Sequence, residues 1–378
     1  MDFQELRETV AIAVGGKSCY LNTGWAGPSP QRVLSRTSET AVALAAVGPA
    51  GPDGLAMAKE VSQEATAAVG RILHMPASDI LLTHGTTEGI NMVLGGMAWQ
   101  PGDEVVTTTL EHWGLNAPLT LLERRHHVRV KQIVLSPQVS NKMIIEVFKE
   151  AVTDNTKLVA ISHVSFTTGL VLPIKELVRH AHSKDALVLL DGAQGPGHVN
   201  ADLWDVDPDF YTMSGQKWLL GPVGTGALYV RHDRQHLLTP MLTAPGLDTR
   251  EGLDMLSLSS NTPALMAGFA EALHIHQELG PPKVSARCLE LGSALRDGLG
   301  AISGVTLTGA MLAENSSGLT TMMLEGWEPD GLASALWEQH AVVARSVSHP
   351  PAVRFSTAAY NDETDVKHAI EAVKTLAR

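Results

Sequence analysis

LVLLDGAQGPGHVNADLWDVDPDFYTMSGQKWLLGPVGTGALY, Leu187 to Tyr229, is the stretch from which the rest of the chain is read. Its first apolar run, Leu187 to Leu190, delivers an acid, Asp191, at its end. A second run, near Phe210 to Met213, delivers Ser214, Gln216 and Lys217. Gly221, Gly224 and Gly226 follow, then a strand-like piece from Ala227 to Val230. Open α/β sheets place their chemistry at the carboxyl ends of their strands. An acid on one strand end and a lysine on the next suit an electrophilic aldehyde cofactor. The amine forms an imine with the aldehyde, and the carboxylate holds a protonated ring nitrogen. A structural Asp–Lys ion pair joining two strands would use the same two residues, so the pair alone leaves both readings open.

The neighbouring residues favour the chemical reading. DGAQ at Asp191–Gln194, SGQKW at Ser214–Trp218 and the run GPVGTGALYV behind them resemble the class V aminotransferases. That branch of the pyridoxal phosphate (PLP) fold-type I superfamily includes cysteine desulfurases, isopenicillin N epimerase and cysteine C–S lyases. The resemblance covers nearly the whole chain. It implies an α/β protein with an aspartate aminotransferase-like fold. A large domain on a mostly parallel central sheet would span residues 1–280 with the N-terminal segment, and a small α+β domain residues 281–378. It also implies pyridoxal 5'-phosphate as cofactor. Asp191 would then pair with the pyridine N–H, and Gln194 would donate to the phenolate oxygen. Lys217 would form the imine and later act as base and acid. Ser214 and Gln216 would bind phosphate. Most relatives have histidine at the position of Gln216, and an amide keeps the donor but not the charge.

Composition narrows the classes. The 378 residues are 44% hydrophobic and 18% charged, which suits a folded chain with a large core. A net charge of −12 with no basic cluster argues against a nucleic-acid partner. No uncharged apolar run reaches membrane-spanning length, and the N-terminus lacks the pattern of a signal peptide. Two cysteines, Cys19 and Cys288, are too few for a disulfide framework, so a cytoplasmic setting is expected.

Other segments supply the remaining candidates. Asp79 to Met97 reads as a strand, a Gly/Thr turn and a helix starting at about Glu88. Free N–H groups at a helix start suit an anion, although Thr86 or Thr87 could be an ordinary N-cap. The family uses the matching Gly-Thr-Thr for the cofactor phosphate, which implies that role for Gly85, Thr86 and Thr87. Glu104 to Thr109 reads as a strand ending in LEHWGLNAP. Its His112 has no second ligand at metal spacing, so no metal site is expected. The resemblance places His112 over the pyridine ring, where it could also move protons. YLNTGWAGPSP, Tyr20 to Pro30, is a loop whose counterpart lines the active-site mouth, so Asn22 and Trp25 are substrate-contact candidates. Phe166 stands where desulfurases carry asparagine, and Ser165 or Thr167 could supply a polar contact instead.

Ser260 or Thr262, at the start of a helix running to Leu279, matches a segment that reaches the neighbouring subunit's phosphate in relatives. That implies a homodimer with shared sites, though a simple N-cap explains the residues equally. Pro281-Pro282 marks a break before the C-terminal elements. Arg354, in the Arg…Tyr-Asn context, matches the arginine that binds the substrate α-carboxylate by a two-pronged fork. Arg345 is a second candidate.

The loop between Arg345 and Arg354, SVSHPPAV, has no cysteine, which disfavours a persulfide-forming desulfurase. The expected reaction is β-elimination from cysteine, cystine or an S-conjugated cysteine, giving thiol or persulfide, pyruvate and ammonia. Epimerisation, transamination or oxidative decarboxylation–deamination of an S-cysteinyl compound are the alternatives on the same site.

Overall fold

The computed structural model describes residues 1–15, 18–258 and 262–377. A short N-terminal strand, β1 (Cys19–Tyr20), precedes a seven-stranded sheet. That sheet is made of β2 (Ile80–Thr83), β3 (Glu104–Thr108), β4 (Arg129–Ile133), β5 (Thr156–Ser162), β6 (Leu187–Asp191), β7 (Phe210–Ser214) and β8 (Gly226–Val230). The order across it is β2-β8-β7-β6-β5-β3-β4. Every pairing is parallel except those of β8 with β2 and β7. This is the mostly parallel sheet that the family resemblance implied.

The strand sequences explain its layering. β6 reads LVLLD and is covered on both faces, hence a continuous apolar run rather than an alternating one. Successive side chains still point to opposite sides. Val188 and Leu190 join one core with helices Pro52–Leu73, Ile174–His182 and Pro263–Leu279. Leu189 joins a second core with helices Thr86–Gly96 and Trp113–His126. β4, RVKQI, lies at one edge and is largely exposed.

The C-terminal residues form a second sheet from β9 (Val305–Leu307), β10 (Leu319–Leu324), β12 (Arg345–Ser348) and β13 (Pro351–Ser356), in the antiparallel order β12-β13-β10-β9. Helices Pro281–Gly300, Pro329–His340 and Glu363–Leu376 share its apolar core, which includes Leu295, Leu336, Phe355 and Val373. Pro281-Pro282 opens the first of these helices rather than separating it from a later start, because proline is tolerated in the first helical turn. β1 pairs with β11 (Val342–Val343) rather than with the large sheet, and Leu21 joins the C-terminal core. The loop after β1 therefore runs across the cleft between the two sheets.

Parallel β3, β5, β6 and β7 end on one side of the large sheet. Thr108, Ser162, Asp191 and Ser214 mark that edge.

Candidate active site

The turn after β7 is closed by its own backbone. Gly215 N–H donates to Thr225 O at 2.8 Å, and Gly221 N–H donates to Gly215 O at 2.9 Å. Lys217 projects from this turn into a cavity of about 490 Å³. Gly27 N–H donates to Gln216 O at 2.7 Å, and a Cβ on Gly27 would lie within 2.3 Å of Lys217 O. The glycines of the Tyr20–Pro30 loop thus let that loop rest directly on the lysine turn.

One end of the cavity comes from the start of helix Thr86–Gly96. Its N-cap is Gly85, at φ 153°, with no side-chain cap. The helix begins at Thr86, two residues before the expected start, because Gly85 turns the chain where β-carbon residues rarely can. Gly226 on β8 faces it, and a Cβ there would lie 2.8 Å from Gly85 Cα and 2.5 Å from Met213 O. Thr86, Thr87, Ser214 and Gln216 line the same cavity. The Gln216 Oε1 is buried and lacks a hydrogen-bond partner.

Asp191 lies buried at the end of β6, and its Oδ1 accepts from Ala193 N–H at 2.9 Å. Its charge acts on both Lys217 and His112. His112 is the N-cap of helix Trp113–His126, and its Nδ1 accepts from Gly114 N–H at 3.0 Å. Burial, then the Lys217 cation, hold its pKa below the usual histidine value. The ring meets Phe166 edge-on, with centroids 4.8 Å apart. Burial is also the largest cause that brings the Lys217 amine down to about 8. Asp191 opposes this, while Arg354 and Arg345 add to it.

Arg354 and Arg345 are register partners on β13 and β12. Arg354 is 1% exposed. Its Nη1 donates to Phe166 O at 2.7 Å, while Nε and Nη2 are buried with no partner. Burial, reinforced by Arg345, lowers its pKa to about 9. A buried guanidinium with two unused nitrogens in a cavity is built for an anion. Arg345 stacks on the Trp25 ring, 4.2 Å from its centroid.

The chain belongs to the class V aminotransferase family. The family profile matches residues 20–368. A probable cysteine desulfurase of Methanothermobacter thermautotrophicus is 30% identical over 297 residues, covering 76% of this chain and 73% of that protein. Isopenicillin N epimerase of Streptomyces clavuligerus is 27% identical over 379 residues, covering 94% of each. Among solved structures, the cystine C–S lyase C-DES in complex with cysteine persulfide superposes with a TM-score of 0.89. It is 22% identical, over 95% of this chain and 98% of that one. A cysteine desulfurase from Thermococcus onnurineus gives a TM-score of 0.90 at 22% identity, over 99% and 97%. The fold is therefore that of PLP fold type I, and the cofactor of the family is pyridoxal 5'-phosphate. The residues present fit that group. An amine of lowered pKa and a helix start without a side-chain cap line one cavity, and the buried Asp191 carboxylate, outside that lining, acts on the amine through its charge.

The structure brings most of the expected residues together. Trp25, Gly85, Thr86, Thr87, His112, Gln194, Ser214, Gln216, Lys217, Arg345 and Arg354 line the cavity. Asn22 does not. It is buried and bridges to Ser356 of the second sheet, so its position makes it part of the wall behind the loop. Gln194 reaches the cavity but is already held, its Nε2 donating to Gly24 O at 2.8 Å and its Oε1 accepting from Trp218 Nε1 at 2.7 Å. Ser165 and Thr167 are buried against each other, outside the lining. Ser260 lies outside the described residues. Thr262 precedes helix Pro263–Leu279 without a side-chain cap. Among the described residues no group of three or more His, Cys, Asp or Glu is placed to hold a metal ion, and no helix is long and apolar enough to cross a membrane.

Sequence reasoning missed His84, Glu88 and the part played by Glu111, and it named Phe166 only for its side chain. His84 and Glu88 flank the Gly85–Thr87 turn, line the cavity and are bonded to each other at 2.7 Å. Phe166 contributes its carbonyl oxygen to Arg354, a role no side-chain comparison reveals. Glu111 is buried behind His112 and was visible only as the acid of LEHW.

Proposed function

We propose that this PLP enzyme cleaves the Cβ–S bond of cysteine, cystine or an S-conjugated cysteine by β-elimination. The carrying observation is the β12–β13 hairpin. Ser348 pairs with Pro351, so only His349 and Pro350 form the turn, and no thiol stands there. Both cysteines are buried elsewhere. The Cys19 Sγ donates to Asp365 O at 3.4 Å, and burial raises its pKa. Burial pushes the Cys288 thiol up to about 12. Neither thiol is accessible to take sulfur as a persulfide, which turns the reading away from a desulfurase.

Bound PLP supplies an electron sink for the carbanion at Cα. The chain supplies the rest. Arg354, with Arg345, holds the substrate carboxylate through its unpartnered nitrogens. Asp191 keeps the ring nitrogen protonated. Gly85, Thr86, Thr87, Ser214 and Gln216 hold the phosphate. With a pKa near 8, Lys217 Nζ is partly neutral at physiological pH and takes the Cα proton. The sulfur group leaves from Cβ with the bonding pair and gains a proton, released as thiol or, from cystine, as persulfide. The resulting aminoacrylate takes up water to give pyruvate and ammonia. His112, its Nδ1 occupied by Gly114 N–H, presents Nε2 to the cavity.

Two structural assignments belong with this reading. Residues 1–280 and 281–378 act as large and small domains, supported by the two sheets, with Cys19 and Leu21 of the large domain packed into the core of the small one. The enzyme works as a homodimer, supported by exposed Val223 on the cavity rim and exposed Met241 and Leu242 nearby on the surface.

Epimerisation is the second reading, favoured by the end-to-end match to isopenicillin N epimerase. Incubating holoenzyme with cystine and S-alkyl cysteines, and assaying pyruvate and thiol, tests the first. Racemised substrate without pyruvate would replace it with the second.

A further inference from the structure

One residue before His112 lies a buried carboxyl that the reaction does not use. Glu111 is 5% exposed. Its Oε1 accepts from the Thr108 hydroxyl at 2.6 Å. Its Oε2 accepts from the Ser162 N–H at 2.9 Å and from the Ser162 hydroxyl at 2.5 Å. The side chain thus bridges the end of β3 to the end of β5. Ser162 is in turn the register partner of Asp191 on β6, and His163 N–H donates to Asp191 O at 2.9 Å. The backbone carbonyl of Glu111 accepts from Asn116 Nδ2 at 2.9 Å, which fastens it to the first turn of the helix that His112 caps. A continuous set of bonds therefore joins the strand carrying Asp191 to the residue carrying the imidazole.

The residue type fits that task. Three donors converge on two oxygens, and an amide has only one acceptor oxygen to offer them. A burial site that needed only filling would be apolar, since a buried acid is costly unless its oxygens are fully bonded. Burial, with Asp191 adding to it and the Ser162 and Thr108 bonds opposing, lifts this acid to about 7.

We propose that Glu111 is a positioning residue. By tying β3 to β5 it fixes where the His112 imidazole stands relative to Asp191 and Lys217, and so how tightly the coenzyme ring is held.

The test is a double-mutant cycle on coenzyme binding, which does not depend on which bond of the substrate breaks. Glu111→Ala, His112→Ala and the double variant are reconstituted with PLP. The dissociation constant and the pH midpoint of the coenzyme absorption band are measured for each. Glu111→Ala should weaken binding about tenfold, the scale on which losing a supporting hydrogen-bond partner weakens a metal site. It should also move the band midpoint in the same direction as His112→Ala. The double variant should bind no more weakly than His112→Ala alone, because Glu111 acts through that ring. Additive losses would overturn the proposal. So would a Glu111→Ala protein that melts earlier but keeps the wild-type dissociation constant and midpoint. If Glu111→Ala does not fold, Ser162→Ala, which removes one of its donors, takes its place in the same cycle, and the same two outcomes decide.

Discussion

Replacing Arg354 with glutamine removes a cation that the structure buries without a counter-charge. Two effects of opposite sign follow. In the apoprotein, the lowering of its pKa to about 9 corresponds to more than three decades of proton affinity, or roughly 5 kcal/mol of cost, mostly from burial with repulsion by Arg345 added. Against this, its bond to Phe166 O contributes about 1 kcal/mol. Because the folded pKa lies below the unfolded one, the unfolded chain binds the proton more tightly. The cost is fully present below about pH 9 and is relieved as the pH rises above it. Arg354→Gln should therefore leave the apoprotein at least as stable as wild type at pH 7 and abolish the alkaline rise. In the holoenzyme, Nε and Nη2 have two hydrogen bonds to give a carboxylate. Charge-assisted bonds contribute about 1.5–3 kcal/mol each, so losing both costs on the order of 100-fold or more in affinity. The assay is an absorbance titration of the coenzyme band with an amino acid and with the amine that lacks its carboxylate. Wild type should prefer the amino acid by about two orders of magnitude, and the variant should bind both alike. A variant that keeps the preference, or whose apoprotein is much less stable at pH 7, would refute the assignment.

Other outcomes are equally checkable. The Lys217 amine at about 8 leaves about a tenth of it neutral at pH 7, against fewer than one in a thousand for an ordinary lysine. The rate of PLP capture by apoprotein should therefore rise through pH 8 and level off, as stopped-flow absorbance would show; a rise continuing to pH 10 would contradict the burial argument. Lys217→Ala should fold and bind PLP without the absorption band of the covalent adduct, read directly in the visible spectrum. Gly226→Ala drives a methyl into the Gly85 and Met213 backbone and should cost about 1–3 kcal/mol of stability. Its coenzyme should also dissociate faster, measured by dialysis and melting.

The order of chemical groups along the chain was determined by the sequence. Apolar runs ending in Asp191 and Ser214, a Gly/Thr turn at Gly85 and the paired arginines are local signals, because strand ends and helix starts are set by nearby residues. The absence of cysteine from SVSHPPAV was likewise a matter of composition. Tertiary structure alone decided which of these groups meet. Asn22 faces the second sheet because β1 pairs with β11, more than 300 residues away, and no local pattern encodes that pairing. The two open nitrogens of Arg354 depend on Phe166 offering its carbonyl to the third. Glu111 reads in sequence as one acid before a histidine. Only the parallel alignment of β3, β5 and β6 surrounds it with Thr108 and Ser162 and brings it beside Asp191. Burial and long-range pairing create these properties, and neither is written in any short stretch of the chain.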